Sequence, residues 1–313
     1  MLLSSLATTS LVLAAFSVRL VPAYAQSRNP FAGRWDIVVT AGDQTYPDWL
    51  ELVEKDGAVQ ARVQPKSGNV RPVTVIKLEG DHLTLRISAA NKKNPETTWE
   101  LTASGGKISG TEKHGDQAAA QLAGVRAPEL KRDPPKAWST AEPLFDGKDL
   151  KGWEPDDPSK NHWVAQNGEL VNLEHGANLR TTRKFEDFKL HFELNCPDGG
   201  NSGFYLRGRY EIQVAYEKGP GPSLSMGAIY GMIAPSVEMP RKPGEWESVD
   251  ATLVGRTVTV VRDGTTVIDH QEIPGITGGA LDANEAEPGP FYIQGDHTGG
   301  MKYRNITIAV AKR

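Results

Sequence analysis

Along residues 188–214, apolar and polar side chains alternate with the period of two that marks a β-strand. In the first run Leu190, Phe192, Leu194 and Cys196 fall on one face, and Lys189, His191, Glu193 and Asn195 on the other. After a turn, Phe204 and Leu206 join the apolar set while Tyr205 and Arg207 oppose it. A third run places Ile212 and Val214 inward and Glu211 and Gln213 outward. Three short strands are thus predicted to share one polar face carrying His191, Glu193, Tyr205, Arg207, Glu211 and Gln213. Antiparallel sheets commonly leave one face in water, so a solvated face is the plain reading. Two carboxylates, an imidazole, a guanidinium and a phenol on one face make it the stretch best suited to chemistry.

The same alternation runs through the rest of the chain. Residues 33–39, 49–54, 58–63, 70–78, 82–87, 97–102 and 107–112 read as short strands, with Asp56-Gly57, Gly80-Asp81 and Ser104-Gly105-Gly106 as turns. Their up-and-down order predicts a small antiparallel barrel or sandwich over residues 29–123. Trp35, Trp49 and Trp99 are expected in its core, because Trp is highly buried on average. A charged, proline-broken linker spans 124–140, including Pro128, Pro134 and Pro135. From 141 to 313 short strands resume, with Asn167-Gly168 as a hairpin turn and Gly227-Ala228-Ile229-Tyr230-Gly231 in a Gly- and Pro-rich loop. No stretch carries a helical period of any length, so the expectation is all-β: a small barrel or sandwich, then a two-sheet antiparallel sandwich.

Composition narrows the possibilities. An apolar segment from Leu2 to Leu20 ends in Ala23-Tyr24-Ala25, the pattern of a secretory signal at 1–25; cleavage there gives a chain starting at Gln26, exported to the periplasm or beyond. Polar interruptions and Arg19 argue against a stable membrane span, and no later stretch is apolar enough for one. The one cysteine, Cys196, lies on an apolar face and is expected to be a small buried hydrophobe. A net charge of −4 with scattered Lys and Arg lacks the basic footprint of a nucleic-acid partner. The oligomeric state has no signature in the sequence.

Several pieces, in order, carry a family resemblance: Leu144-Phe145-Asp146-Gly147-Lys148-Asp149-Leu150, Gly152-Trp153, Gly200-Asn201-Ser202-Gly203-Phe204-Tyr205-Leu206-Arg207, Tyr210-Glu211-Ile212-Gln213-Val214, Gly227-Ala228-Ile229-Tyr230-Gly231, Pro243-Gly244-Glu245-Trp246 and Tyr303-Arg304-Asn305-Ile306-Thr307-Ile308. Residues 141–313 thereby resemble the 3-keto-disaccharide hydrolase domain family. The resemblance implies a concanavalin A-like jelly-roll sandwich that cleaves glycosides whose sugar is oxidised at C3. Gly33-x-Trp35 is also similar, more weakly, to the opening of lipocalins.

A C3 ketone acidifies the C2 proton, so a base can remove it and the resulting enolate can expel the C1 substituent; water adding back makes the net result hydrolysis. Such a site needs a base, a stabiliser for the C3 oxygen and a proton donor for the leaving oxygen. Glu193 and Glu211 are the candidate carboxylates, Arg207 the electrophile and His297 a donor or second base. Tyr205, Gln213, Tyr230, Asn201 and Gln294 are candidates for holding substrate. If the strands bearing Glu193 and Glu211 are neighbours, the carboxyls come within about 5 Å; one strand further apart gives roughly 10 Å. His191, Glu193, Glu211 and Asp296 could alternatively hold a divalent cation acting as a Lewis acid. The partner implied is an oligosaccharide or glycoside. A carbohydrate-binding protein without turnover is the alternative, because the same sandwich hosts both.

Overall fold

The computed structural model describes residues 29–89, 95–217 and 221–312, and the expected leader at 1–25 lies outside them. Eight strands come first: β1 (Gly33–Ala41), β2 (Gln44–Lys55), β3 (Ala58–Gln64), β4 (Arg71–Glu79), β5 (His82–Ile87), β6 (Thr97–Ser104), β7 (Lys107–His114) and β8 (Gln117–Arg126). Each pairs with the next, and β8 returns to β1 with Val38 opposite Ala123, so the sheet closes into a barrel with no free edge. The pattern of hydrophobicity had stopped one strand short. β8 reads QAAAQLAGVR, almost without the β-branched and aromatic residues that signal a strand, and it runs three residues past the expected boundary at 123. Its small residues have a packing reason: a side chain on Gly124 would run into Ile108. Trp35, Leu50, Leu52, Val63, Leu85 and Trp99 fill the lumen, whereas Trp49, also buried, points outward from the barrel beneath Gly275.

Fourteen further strands follow: β9 (Ala137–Trp138), β10 (Glu142–Pro143), β11 (Trp153–Pro155), β12 (Trp163–Gln166), β13 (Glu169–Asn172), β14 (Leu179–Thr181), β15 (Phe188–Asn195), β16 (Asn201–Leu206), β17 (Tyr210–Ala215), β18 (Trp246–Val254), β19 (Thr257–Arg262), β20 (Thr265–Glu272), β21 (Tyr292–Ile293) and β22 (Met301–Lys312). They build two layers. The larger sheet runs β12-β13-β22-β15-β18-β19-β20, with β9 and β10 also on β22; the smaller runs β11-β14-β21-β16-β17. Asn167 and Gly168 take φ of 53° and 80°, the left-handed pair that the β12–β13 hairpin requires. The molecule is all-β, a barrel followed by a two-layer sandwich, as the alternation predicts. No helix among the described residues is long and apolar enough to cross a membrane.

The sandwich core holds Phe188, Leu190, Phe192 and Leu194 of β15 against Phe204, Leu206, Ile212 and Val214 of β16 and β17. The rings of Phe192 and Phe204 stack with centroids 4.3 Å apart. That single contact fixes which way every polar residue on these strands must point.

Candidate functional site

Because Phe192 and Phe204 meet from opposite layers, the polar faces of β15 and β16 look away from each other. The expected single face therefore does not exist. β15 belongs to the larger sheet and β16–β17 to the smaller, the chain crossing between layers at Pro197–Gly200. Glu193 lies on the outside of the larger sheet, where Arg304 Nε donates to it at 2.6 Å and Asn305 Nδ2 at 2.8 Å. Partial burial works against its charge, but these two donors outweigh it and hold the carboxyl below the usual carboxylate range. His191, on the same outer face, pairs with Asp250 at 2.8 Å. Glu193 and His191 thus leave the candidate site, and the four proposed metal ligands divide between two opposite surfaces. Among the described residues no cluster of three or more His, Cys, Asp or Glu is placed to hold a metal ion.

Arg207 is displaced for a different reason. β16 ends at Leu206, and Arg207 opens the tight turn with φ 54°. Its guanidinium is buried, donating from Nη2 to the Tyr210 hydroxyl at 3.0 Å and to the Gly255 carbonyl at 2.9 Å. It stabilises the turn and does not stand beside Glu211.

The remaining candidates converge on the outer face of the smaller sheet. Tyr205 and Glu211 are cross-strand partners, as are Gly203 and Gln213. Glu211 is only 3% exposed, and its carboxyl lies over Gly203, where any Cβ would collide with it. Tyr205 and Glu211 Oε2 are 2.8 Å apart; the same hydroxyl is 2.7 Å from the Gly278 carbonyl and accepts from Gln294 Nε2 at 2.9 Å. A hydroxyl has one proton to give. The Gly278 carbonyl can only accept, so Tyr205 spends its proton there, and Glu211 must be a protonated acid to donate to Tyr205. Electrostatics agrees: burial, with the Asp296 charge assisting, pushes the Glu211 carboxyl up to about 8 despite the Tyr205 contact. The Gln213 amide, with its nitrogen toward the acid, donates to Glu211 Oε1 at 2.9 Å and to the Ser202 carbonyl at 3.2 Å.

β21 continues outward through Gln294, Asp296 and His297. Asp296 Oδ1 is 2.8 Å from His297 Nδ1 and raises the imidazole pKa, while the imidazole in turn keeps the Asp296 carboxyl low against the effect of its burial. Gly295 is needed here: a side chain would strike the Ala177 carbonyl and the Trp163 indole. Thr298 Oγ1 accepts from the Asn201 backbone N–H at 2.6 Å, which ties the His297 loop to the start of β16. At the other edge, Gly227–Tyr230 lies along β17, with Gln213 N bonded to Ala228 O and Tyr230 N to Glu211 O.

Beside this face opens a cleft of about 610 Å³, lined by Asn201, Gln213 and Tyr230 together with Tyr216, Glu217, Glu238, Arg241 and Arg262. That volume lies in the range of small-molecule sites. The last five residues escaped the sequence reading. Four come from a Gly- and Pro-rich stretch or its margins, and Arg262 ends a strand of the other sheet. Tyr216 donates to Glu247 and accepts from Arg262 Nη2 at 2.6 Å, so the cleft floor is a satisfied, rigid network.

The two-layer β-sandwich, with an acid, an imidazole and a row of amides beside such a cleft, is that of a carbohydrate-acting protein. The chain belongs to the 3-keto-alpha-glucoside-1,2-lyase-like domain family, whose model matches residues 140–309. Among solved structures it is similar to a glycosyl hydrolase candidate from Parabacteroides distasonis, 28% identical over 57% of this chain and 93% of that one, TM-score 0.48. A second such protein from the same organism is 24% identical over 54% and 98%, TM-score 0.42. A carbohydrate-binding module from Bacillus subtilis is 12% identical over 50% and 94%, TM-score 0.31. No curated protein matches the chain.

Proposed function

We propose that the protein cleaves glycosides whose sugar carries a ketone at C3, in the cleft beside the outer face of the smaller sheet. The observation that carries this reading is an acid and an imidazole set on one face: Glu211 buried beneath Tyr205 and Gln213 and kept neutral, and His297 held by Asp296 at 2.8 Å. His297, in its neutral form, removes the C2 proton. The charge that develops on the C3 oxygen takes hydrogen bonds from amide and phenol donors lining the cleft, Asn201 and Tyr230 being the ones in place. As the enolate collapses, the C1–O bond breaks and Glu211 supplies the proton for the leaving oxygen. Water adding across the resulting enone, with the proton from His297 returned at C2 and its own proton passed to Glu211, restores both groups and makes the sum a hydrolysis.

The test is to mix purified protein with a 3-keto-disaccharide and with its unoxidised parent and follow products by NMR. The reading expects cleavage of the first alone, and at least a hundredfold loss of turnover in Glu211→Gln with the fold retained. Equal cleavage of both sugars, or full activity in Glu211→Gln, would sink it. Export belongs to the same proposal, since the segment from Leu2 to Ala25 has the pattern of a cleaved leader. Protein recovered from its native compartment should have Gln26 as its first residue, and an intact Met1 there would contradict export by cleavage.

A further inference from the structure

The barrel has a cavity of its own, apart from the cleft. It occupies one end of the lumen, has a volume of about 200 Å³, and is lined by Tyr46, Asp48, Lys66, Arg71, Trp99 and Glu112 among others. Strand alternation puts these groups there. On β2, Tyr46, Asp48, Leu50 and Leu52 share the inward face, and the two leucines belong to the apolar core. On β7, Glu112 shares its face with Ile108, which is also core. The charged groups therefore cap an apolar floor to which Val63, Ile87 and Trp99 contribute.

One atom in this arrangement is unexplained by the fold. Asp48 is 2% exposed, yet its Oδ1 has no hydrogen-bond partner among the described residues. A buried polar atom left unpaired costs about 1–3 kcal/mol, so an empty cavity is a poor resting place for it. Its neighbours are fixed. The Trp99 indole donates to Glu112 Oε2 at 2.8 Å, the Lys66 ammonium sits 4.7 Å from the centre of the Tyr46 ring, and Arg71 is buried with one nitrogen 3.4 Å from the Ser88 carbonyl.

We propose that this barrel cavity binds a single neutral sugar ring or small polyol, with Asp48 accepting a hydrogen bond from one of its hydroxyls. Glu112 and the buried Asp48 stand among Arg71, Lys66 and the His114 imidazole, and this mixture of acceptors and donors suits a neutral polyhydroxyl ligand better than an anion such as a sugar phosphate or an amine. Carboxyl acceptors and cationic donors around one cavity suit hydroxyl groups, each of which both gives and takes a hydrogen bond. Tyr46 and Trp99 supply the apolar and aromatic surface on which the C–H face of a sugar rests. At about 30 Å³ per water the cavity has the volume of roughly seven waters, enough for one ring and too small for two. The inference is independent of the 3-keto reading, which concerns the cleft.

The experiment titrates the full-length protein with D-glucose and with myo-inositol, by calorimetry and by NMR of the tryptophan indole N–H signals, the Trp99 signal being identified with Trp99→Phe. Saturable binding that shifts the Trp99 signal is expected. Asp48→Ala should weaken that binding at least tenfold while leaving turnover of a 3-keto-disaccharide unchanged. Should Asp48→Ala fail to fold, Arg71→Gln is compared in the same way and should also lose at least tenfold. Absence of saturable binding by either probe, binding that ignores both substitutions, or tighter binding of glucose 6-phosphate or glucosamine than of glucose would overturn the proposal.

Discussion

At the scale of single residues, the site depends on a missing side chain as much as on those present. Glu211 can lie across the sheet because Gly203, its diagonal neighbour, leaves the space its carboxyl fills. Gly203→Ala should leave the β16–β17 pair intact, since alanine tolerates extended backbone, but expel the carboxyl from its contacts with Tyr205 and Gln213. A misplacement of about 1 Å in a catalytic group costs on the order of a hundredfold in rate. The expected outcome is a loss of that order in kcat on a 3-keto-disaccharide with an unchanged circular dichroism spectrum; a variant as active as wild type would show that the carboxyl is not needed where it lies. The residue types on this face were legible from alternation: Tyr205, Glu211 and Gln213 are where the period of two puts them. The protonated state of Glu211 was not, because it follows from the Gly278 carbonyl and from Gln294, which reach Tyr205 from segments 73 and 89 residues away.

At the scale of elements, the informative event is the crossing from β15 to β16. Two consecutive amphipathic strands with their apolar sides in one core can sit side by side in one sheet or face each other from two. Both choices satisfy the same pattern of hydrophobicity, and only the second sends the polar sides apart. The Phe192–Phe204 stack shows that this chain takes the second. A sandwich is therefore readable from its sequence as far as which residues are inside, and not as far as which outer face each polar residue joins. Arg207 was misread for a related reason: strand periodicity was carried one residue past Leu206, into a turn where it no longer applies. The layer assignment has a functional consequence at Glu193. Glu193→Gln removes a surface ion pair with Arg304 and should cost about 1 kcal/mol of stability or less. Turnover of a 3-keto-disaccharide should stay within about twofold of wild type, in contrast to Glu211→Gln, because no ionised surface group on the far layer sits close enough to act in the cleft. A large loss of kcat in Glu193→Gln would place the reaction on the wrong sheet.

At the scale of the whole molecule, barrel and sandwich are joined through groups that neither could bury alone. The loop after β3 gives the Lys66 carbonyl to Gly279 N at 2.8 Å, next to the Gly278 that receives the Tyr205 proton, so the barrel backs the site. Trp49 packs under Gly275, where a side chain would collide with the indole, and Arg34 pairs with Glu272. Asp36 of β1 is also buried at this junction, near Glu285, Arg256 and Arg209 of the sandwich. Burial first, and then the Glu285 charge, raise its carboxyl to about 8, against the pull of the two arginines. An acid whose folded pKa exceeds its unfolded value holds its proton in the folded state over a window where the unfolded chain has lost it. Its stabilising contribution is complete below about 4 and drains away as the pH climbs toward 8. Glu211 acts in the same sense over nearly the same window. Thermal stability should therefore fall as the pH is raised from about 5 to 8, and cleavage of the 127–136 connection by added protease should quicken as the junction loosens. Asp36→Asn keeps the shape without the titration, so it should flatten the fall in melting temperature while leaving the part contributed by Glu211, and Asp36→Asn combined with Glu211→Gln should flatten it further. A wild-type melting temperature that is level or rising between pH 5 and 8 would mean that Asp36 and Glu211 are ionised in the folded protein, and the neutral acid assigned to the cleft would go with them.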